Sequence, residues 1–352
     1  MNTPSRCRSF AASVPSTHWR IGSALVAVVL LQLLFALSYL AVFHDPTPQS
    51  LPVAVTAPTP QIARQTAEEL RSASHNVIDA HVVDTPTEAK AEVEDRASVA
   101  AYTVGPTGDQ LLVASAAGPS QSQTLTGRFQ QLDAQQGRKL QVNDIAPLPQ
   151  SDSRGLVPFY VTLVLIFGGY LGTVLFGLLT TTRAPDPRAA AVRLVGLAGF
   201  AALSSTVVVL GSHAAFDVLG GHLLQAIAAG TLICFATAAT ALALQSLLGI
   251  LGTGLVIMLF VIFGNPASGG AVSYGFLPTP YRDLGPLTVN GAGVDLLRNL
   301  AYFDDHDLTR PLAVLVTWSL IATAGAIALS SHRCARLNTI HHKIAPAFGT
   351  GM

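Results

Sequence analysis

Charged side chains are scarce in this chain. Only 11% of its 352 residues are Asp, Glu, Lys or Arg, against about 25% in an ordinary soluble domain. Acidic and basic residues number 20 each, so the formal net charge is zero. The scarcity argues against an ordinary soluble enzyme, and the charge balance gives no indication of a nucleic-acid partner.

Cysteine is also scarce, with only Cys7, Cys234 and Cys334 in the whole chain. None lies in the long polar stretch after the first apolar run, so no disulfide framework is predicted there, and the spacing matches no metal site. The sequence also lacks a Walker motif, a glycine-rich phosphate loop and any Ser/His/Asp or Cys/His arrangement. It therefore predicts no catalytic residues, no cofactor and no ATPase activity of its own.

The chain is rich instead in apolar runs of membrane length. The first run, Ile21–Phe43, has no charged residue and precedes a polar block from about His44 to Gly155. Five more runs follow at Leu156–Leu179, Val192–Gly211, Leu219–Leu244, Ser246–Phe263 and Leu312–Leu329. A bilayer core needs about 20 apolar residues in helical form. The sequence therefore predicts an α-helical integral membrane protein with six transmembrane helices, four of them within residues 156–263.

A cleaved signal peptide is the alternative interpretation of the first run. Its apolar part would span about 7–15 residues and end in a small-x-small cleavage site. The run here is longer, and it ends Tyr39-Leu40-Ala41-Val42-Phe43-His44 without that pattern. We therefore favour a retained transmembrane anchor over a signal peptide.

Basic residues beside the predicted spans indicate the orientation of the chain. They fall in the N-terminus (Arg6, Arg8, Arg20), in the link after the second span (Arg183, Arg188, Arg193) and in the C-terminal tail (Arg333, Arg336, Lys343). Basic loops resist translocation, and six spans place all three segments on the same side. Residues 1–20 and 330–352 are thus predicted to be cytoplasmic, with residues 44–155 and 264–311 outside. Richness in Ala, Gly and Val is typical of a GC-rich bacterium, so we expect its cytoplasmic membrane.

The polar block has the periodicity of a small α/β domain inserted between the first and second spans. Its pattern predicts strands at 51–55, 77–83, 99–104, 110–116 and 140–145, and helices at 61–72, from 85 onward and at 120–136. Thr85, Pro86 and Glu88 suit the N-cap, first and third positions of a helix. The predicted order β-α-β-α-β-β-α-β describes a mixed sheet. The domain would capture substrate or gate the bundle, or be a spacer that contacts partner proteins.

Two groups of acidic residues and histidines have side chains of the metal-binding type. One is His75, Asp79, His81 and Asp84, and the other is Asp304, Asp305, His306 and Asp307. Residues at the turn-and-strand spacing of the first group are usually solvated or capping groups. Oxygen ligands such as those of the second group suit calcium or magnesium, but its spacing matches no known metal-binding loop. We interpret these residues as solvated or capping groups and predict no metal site.

The predicted second to sixth helices contain no Asp, Glu, Lys or Arg away from their ends. Proton- and sodium-coupled carriers usually bury such groups, so the sequence disfavours a secondary antiporter. The deepest polar candidates are His222 and Gln225, one helical turn inside the outer end of the fourth span. Together with His213 and Asp217 they form a candidate polar vestibule, or simply lie at the membrane interface.

The segment Gly264–Pro311 is rich in proline and glycine, yet mostly apolar. Irregular backbone at membrane depth is tolerated only where protein or a water-filled cavity satisfies its polar groups. The segment therefore predicts short re-entrant or interfacial helices capping the outer end of the bundle, with an ordered loop as the alternative. One helix is expected at Gly291–Ala301, with Arg298 at the lipid headgroups or paired with Asp295.

This plan resembles the phage infection protein (YhgE/Pip) family, which is related to permeases of type-2 ABC transporters. The resemblance rests on Gly264, Asn265, Pro266, Ser268, Gly269 and Gly270, and on Leu277-Pro278, Pro286, Arg298 and Tyr302-Phe303. Leu51–Val55 also resembles the family's first outside strand. The chain departs from the family at Thr56-Ala57-Pro58-Thr59, where a polar sequence containing Asn or Asp is common.

The resemblance implies the permease subunit of an exporter that moves lipids, glycans, peptides or hydrophobic drugs outward. It implies a homodimer or heterodimer in membrane lipid, an outer gate built by the motif residues, Pro278, Pro286 and Arg298, and a separate ATPase. Arg183, Arg188 and Arg193 are the candidate docking residues for that ATPase, although the link Thr180–Ala191 is short for a coupling helix. The alternative is a non-transporting scaffold or receptor whose outside domain binds cell-wall or secretion partners.

Overall fold

Long apolar helices and a five-stranded sheet make up the described chain, which covers residues 17–74, 77–180 and 186–344 in this computed structural model. Helix α1 (Thr17–Phe43) comes first, and a unit of strands and shorter helices follows. Its elements are β1 (Leu51–Thr56), α2 (Pro60–Ala73), β2 (Ile78–Val82), α3 (Pro86–Glu94), β3 (Ala100–Thr103), β4 (Asp109–Val113), α4 (Pro119–Gln135) and β5 (Leu140–Asp144). This order is the one that the periodicity predicts. We call residues 51–144 the sheet unit.

Local sequence explains the helix starts in the sheet unit. Thr59 accepts a hydrogen bond from the Ile62 amide at 3.4 Å, and Thr85 accepts one from the Glu88 amide at 3.1 Å. Each threonine precedes a proline, which needs no amide partner in the first turn. These caps set where α2 and α3 leave their preceding strands.

The strands form one mixed sheet in the order β2-β1-β3-β4-β5. Strand β1 pairs in parallel with β2 and β3, β3 pairs antiparallel with β4, and β4 pairs in parallel with β5. Because side chains alternate along a strand, Val53 and Val55 face α2 and α4, while Ala54 faces α3. The α3 face also receives Phe303, which lies outside the sheet unit. The sheet unit and the later part of the chain thus share a hydrophobic core.

After a short 3₁₀ turn, the remaining helices build the bundle. They are α5 (Val157–Leu179), α6 (Pro187–Phe216), α7 (Leu223–Leu248), α8 (Ile250–Val256), a π-helix (Ile257–Gly264), α9 (Thr279–Leu284), α10 (Val289–Tyr302) and α11 (Thr309–Ile344). Helix α7 is the centre, packing against α5, α6, α10 and α11. At Gly169, an added Cβ would meet the Cys234 carbonyl oxygen, so glycine allows the close approach of α5 and α7.

Five helices in the described chain are long and apolar enough to cross a membrane: α1, α5, α6, α7 (with the turn before it) and α11. The predicted fifth span, Ser246–Phe263, does not form a helix of this length. Its apolar part, Leu251–Gly264, is shorter and covers about 21 Å at the α-helical rise, against about 30 Å for a bilayer core. Uninterrupted hydrophobicity made the predicted span too long, because it hid a chain reversal inside the run.

That reversal occurs at Gly249, not at the predicted break between Leu244 and Ser246. Helix α7 continues to Leu248, and Gly249 then takes φ 66° and ψ −132°, a conformation open to glycine alone. Gly252 then lies against the Leu244 carbonyl oxygen, where a Cβ would clash. Other predicted ends move outward as well, since α6 begins at Pro187 behind an Asp186 cap and α11 runs from Thr309.

The shorter apolar segment runs parallel to α1. Near its start, Leu251 and Leu255 share an apolar groove with Ala27 and Leu31. Near its end, the Ser38 hydroxyl donates to the Ile262 carbonyl oxygen at 2.5 Å. Early residues of one segment therefore lie beside early residues of the other, and the turn at Gly249 sets α7 antiparallel to both.

Candidate functional site

The Gly264–Gly270 motif forms a tight turn directly after the π-helix. Pro266–Ser268 makes one 3₁₀ turn that is buried, and the Ser268 hydroxyl donates to the Asn265 carbonyl oxygen at 2.8 Å. Gly269 then adopts φ 67° and ψ 8° in the left-handed region, which side-chain-bearing residues avoid. Three motif positions therefore have a structural reason: Pro266 starts the turn, Ser268 closes it and Gly269 reverses it.

The C-terminal end of α1 is fastened to this turn by hydrogen bonds. The Asn265 side-chain amide donates to the Tyr39 hydroxyl at 2.7 Å, and Tyr39 donates to the Val261 carbonyl oxygen at 3.3 Å. Ser38 contacts both Ile262 and the Tyr281 hydroxyl, at 2.5 and 2.9 Å. These hydrogen bonds join the motif to the C-terminal end of α1.

Asn290 joins the start of α10 to the π-helix. Its amide donates to the Phe260 carbonyl oxygen at 3.0 Å, inside the segment whose hydrogen-bond ladder is widened. Gly264 lies so close to the Asn290 side chain that a Cβ would overlap it. π-Helical segments are rare and often mark functional positions, and this one leads directly into the motif.

Tyr274 connects the motif to α10. Its hydroxyl donates to the Ser268 carbonyl oxygen at 2.9 Å and approaches Asp295 at 3.4 Å. The ring occupies the space where a Cβ on Gly269 would lie. Glycine at position 269 therefore leaves room for the tyrosine ring.

Arg298 lies inside the protein, with only 3% of its surface exposed. Its guanidinium contacts the Gly269 and Gly270 carbonyl oxygens at 3.3–3.4 Å and lies 3.8 Å from Asp295. Burial lowers the pKa of Arg298, and the nearby Arg96 lowers it further. The expectation that Arg298 reaches the lipid headgroups is wrong, because α10 is buried along almost its whole length. The alternative, proximity to Asp295, is the one observed.

Arg96 is one of the residues of this network that sequence reasoning missed. It follows α3 in the sheet unit with a φ of 61°. Its guanidinium donates to Asp295 and Asn299 of α10, both at 2.8 Å, and lies 5.9 Å from the Phe303 ring centroid. No local signal reveals this pairing, because the partners are about two hundred residues apart. In the structure, Arg96 is unusual in its positive φ, which few non-glycine residues adopt.

A second link fastens α10 to the entry of α5. The Tyr302 hydroxyl donates to Asp152, whose carboxylate also accepts the amides of Leu156 and Val157 at 2.9 and 2.8 Å. Burial and the neighbouring carboxylate together raise the pKa of Tyr302, so its hydroxyl keeps its proton. The end of α10 and the start of α5 therefore meet at the same end of the bundle.

The two prolines of the predicted gate lie at helix starts. Pro278 directly precedes α9, and Pro286 lies in the 3₁₀ turn before α10. Gly285, next to Pro286, lies against the Ala267 carbonyl oxygen and so brings this turn onto the motif. The structure thus gathers the predicted gate residues around one hub, α10.

The four vestibule residues separate into two groups. His222 contacts the Gln225 side chain at 2.6 Å, and Gln225 donates to Asp305 at 2.8 Å. His213 instead contacts the Val218 carbonyl oxygen at 3.1 Å, while the Asp217 side chain is 94% exposed. The structure therefore does not bring all four together, and it adds Asp305 to the group of His222 and Gln225.

In each of the two groups that sequence analysis considered as metal sites, a histidine contacts an acidic residue outside its own group. His81 contacts Glu92 at 2.7 Å, and His306 lies 3.5 Å from Asp95. His75 lies outside the described residues. Among the described residues, no group of three or more histidine, cysteine or acidic side chains could hold a metal ion.

The candidate docking arginines differ in accessibility. Arg183 lies outside the described residues, Arg188 is exposed in the first turn of α6, and Arg193 is buried at 7% exposure. Arg193 is therefore turned into the bundle, and Arg188 is the described member of the set that faces outward.

Comparison with known families gives the chain its class. The model of the family described as ABC-2 family transporter protein matches residues 21–329. The chain belongs to this family. It is a multi-pass membrane protein and a permease of the ABC transporter class, which typically works with a separate ATPase subunit. No curated protein and no solved structure matches the chain.

Proposed function

We propose that this permease exports a hydrophobic or amphipathic molecule, such as a lipid, glycan, peptide or drug, and that the motif segment is its outer gate. The observation that carries the proposal is the hub around α10. Residues 264–302 contact α1, the π-helix, the start of α5 and the sheet unit at one end of the bundle. A displacement of α10 would therefore be transmitted to all of these elements together. The same motif supports, as part of this proposal, a relationship of the chain to the YhgE/Pip family.

We place this end of the bundle outside the cytoplasmic membrane. The parallel course of α1 and the shorter apolar segment supports six crossings, with the π-helix and motif completing the fifth at a depth where protein satisfies the backbone. The basic link and tail then face the cytoplasm. Residues 51–144 would cover the outer end of the bundle, and Arg188 would be available to an ATPase in the cytoplasm.

The two partner arrangements follow from this orientation. A separate ATPase would drive export, because the chain has no Walker motif. A second permease, either a copy of this chain or a related one, would complete the path across lipid. The exposed apolar faces of α1 and α6, including Leu33 and Leu203, suit lipid or such a partner.

Cysteine labelling tests the orientation on which outward export depends. In a background without Cys7 and Cys334, and with Cys234 kept because it is buried, single cysteines replace Glu68 in α2 and Arg188 in α6. Glu68 is 78% exposed, so a membrane-impermeant maleimide added to intact cells should label Glu68→Cys but not Arg188→Cys. Inverted vesicles should give the opposite pattern.

Labelling of both cysteines from the same side would contradict the six-crossing arrangement and the outer gate. A cysteine in place of exposed Glu69, one residue along α2, is the matched control. It must reproduce the Glu68→Cys result, since both positions belong to the same helix.

A further inference from the structure

A cavity of about 200 Å³ lies between the sheet unit and the motif. Arg96, Arg282 and Arg298 line it, each from a different part of the fold. Gln121 and Ser273 add polar atoms, and no described residue of the lining is Asp or Glu. At about 30 Å³ for each water molecule, the space would hold several waters or one compact ionic group.

The arginines outnumber their carboxylate partners. Arg96 and Arg298 share Asp295, at 2.8 and 3.8 Å. Arg282 forms its ion pair with Asp283, the next residue, whose side chain is more than half exposed. One buried guanidinium is therefore left without a full counter-charge, which is costly in a protein interior.

The neighbouring cavity shows the contrast. It lies on the other side of Arg96 and is lined by Asp295, Asp307 and Arg310 as well as Arg96 itself. Its two acidic and two basic side chains balance. Asp307 acts on Arg96 from that side, and Arg96 and Arg310 both act on Asp307. Of the two cavities, the first is the one whose described lining has arginines and no carboxylate.

Arg298 also retains an unused donor. Its Nε is buried and has no hydrogen-bond partner among the described residues, while its two terminal nitrogens make only long contacts to backbone carbonyl oxygens. A buried donor without an acceptor costs about 1–3 kcal/mol. A ligand oxygen that approaches this guanidinium would remove that cost.

We propose that this cavity binds a phosphate group, as free phosphate or as the headgroup of a lipid. Guanidinium groups donate in a planar fork that matches phosphate oxygens, and three of them converge here without a competing carboxylate in the lining. The bound group would lie between the sheet unit and Gly269, so it would contact both the sheet unit and the motif. The proposed binding does not require export activity, so it is tested on the purified protein without a transport assay.

The test measures thermal unfolding of the purified full-length chain. One arm adds inorganic phosphate in detergent, with chloride at matched ionic strength as the reference. A second arm compares nanodiscs of phosphatidylcholine with nanodiscs that also contain phosphatidic acid. We expect a saturable rise of the unfolding temperature in at least one arm, and the arm that responds identifies free phosphate or lipid headgroup as the source.

Variants at Arg282 locate the site. In the arm that responds, Arg282→Gln should weaken the affinity for the ligand about tenfold, because it removes one charge-assisted hydrogen bond. Arg282→Lys should restore part of that affinity. Arg64→Gln removes the same charge from an exposed position on α2 and should change nothing. The proposal is overturned if neither arm gives a saturable rise, or if Arg282→Gln and Arg64→Gln respond like the unmodified chain.

Discussion

Replacing Gly269 by alanine abolishes export, on this account, while the protein still reaches the membrane. The left-handed backbone at Gly269 costs about 1–2 kcal/mol for a residue with a Cβ, and the added carbon would overlap the Tyr274 ring. Tyr274 would have to leave Ser268 and Asp295, so the motif would detach from α10. Pro266→Ala, which frees the start of the same turn, should also abolish export.

Export is followed as the clearance of fluorescent amphipathic probes from cells, with the membrane content of each variant measured by immunoblot. Gly199→Ala is the matched control, since an added Cβ there meets nothing within 4 Å. We expect at least a tenfold loss for Gly269→Ala and none for Gly199→Ala. Normal clearance by a Gly269→Ala protein present at the usual level would remove the motif from the gate.

Replacing Asp295 by alanine should destabilise the protein more than any surface change. Asp295 is the carboxylate shared by Arg96 and Arg298, and all three side chains are at least four-fifths buried. Removing one partner of a buried ion pair costs about 3–5 kcal/mol, because the remaining charge stays buried. The apparent unfolding temperature in detergent should fall on the order of 10 °C.

Asp283→Ala provides the comparison for that measurement. Asp283 also forms an ion pair with an arginine, but its side chain is 57% exposed, and such pairs contribute about 0–1 kcal/mol. Asp295→Asn removes the charge but keeps the shape of the side chain. Its unfolding temperature should therefore lie between those of Asp295→Ala and Asp283→Ala. If Asp295→Ala unfolds at the same temperature as Asp283→Ala, the network around α10 does not hold the sheet unit to the bundle.

Sequence periodicity predicted the sheet unit because its signals are local. Alternation marked the strands, and the Thr85-Pro86 start of α3 appears in the structure as predicted. The turn at Gly249 was missed for a physical reason. Glycines at 249, 252 and 254 all look alike in an apolar run, and only the fold shows that Gly249 alone reverses the chain.

The sequence singled out part of the candidate site but not its arrangement. The motif residues and Arg298 were identified from resemblance, yet hydrophobicity gave no sign that α10 would be buried. Arg96 was missed because its partners Asp295 and Asn299 lie in another part of the chain. Long-range pairing of this kind depends on how the sheet unit docks, which a pattern within one segment does not contain.

An exporter driven by a separate ATPase requires that this chain associate with that ATPase. The most direct measurement is to purify the tagged full-length protein in mild detergent and identify its partners, with their amounts, by mass spectrometry. We expect an ATPase with Walker motifs in a one-to-one amount, and loss of that ATPase from the Arg188→Glu variant. Recovery of the chain with itself alone, or with cell-wall or secretion proteins and no ATPase, would contradict the exporter and favour a membrane scaffold.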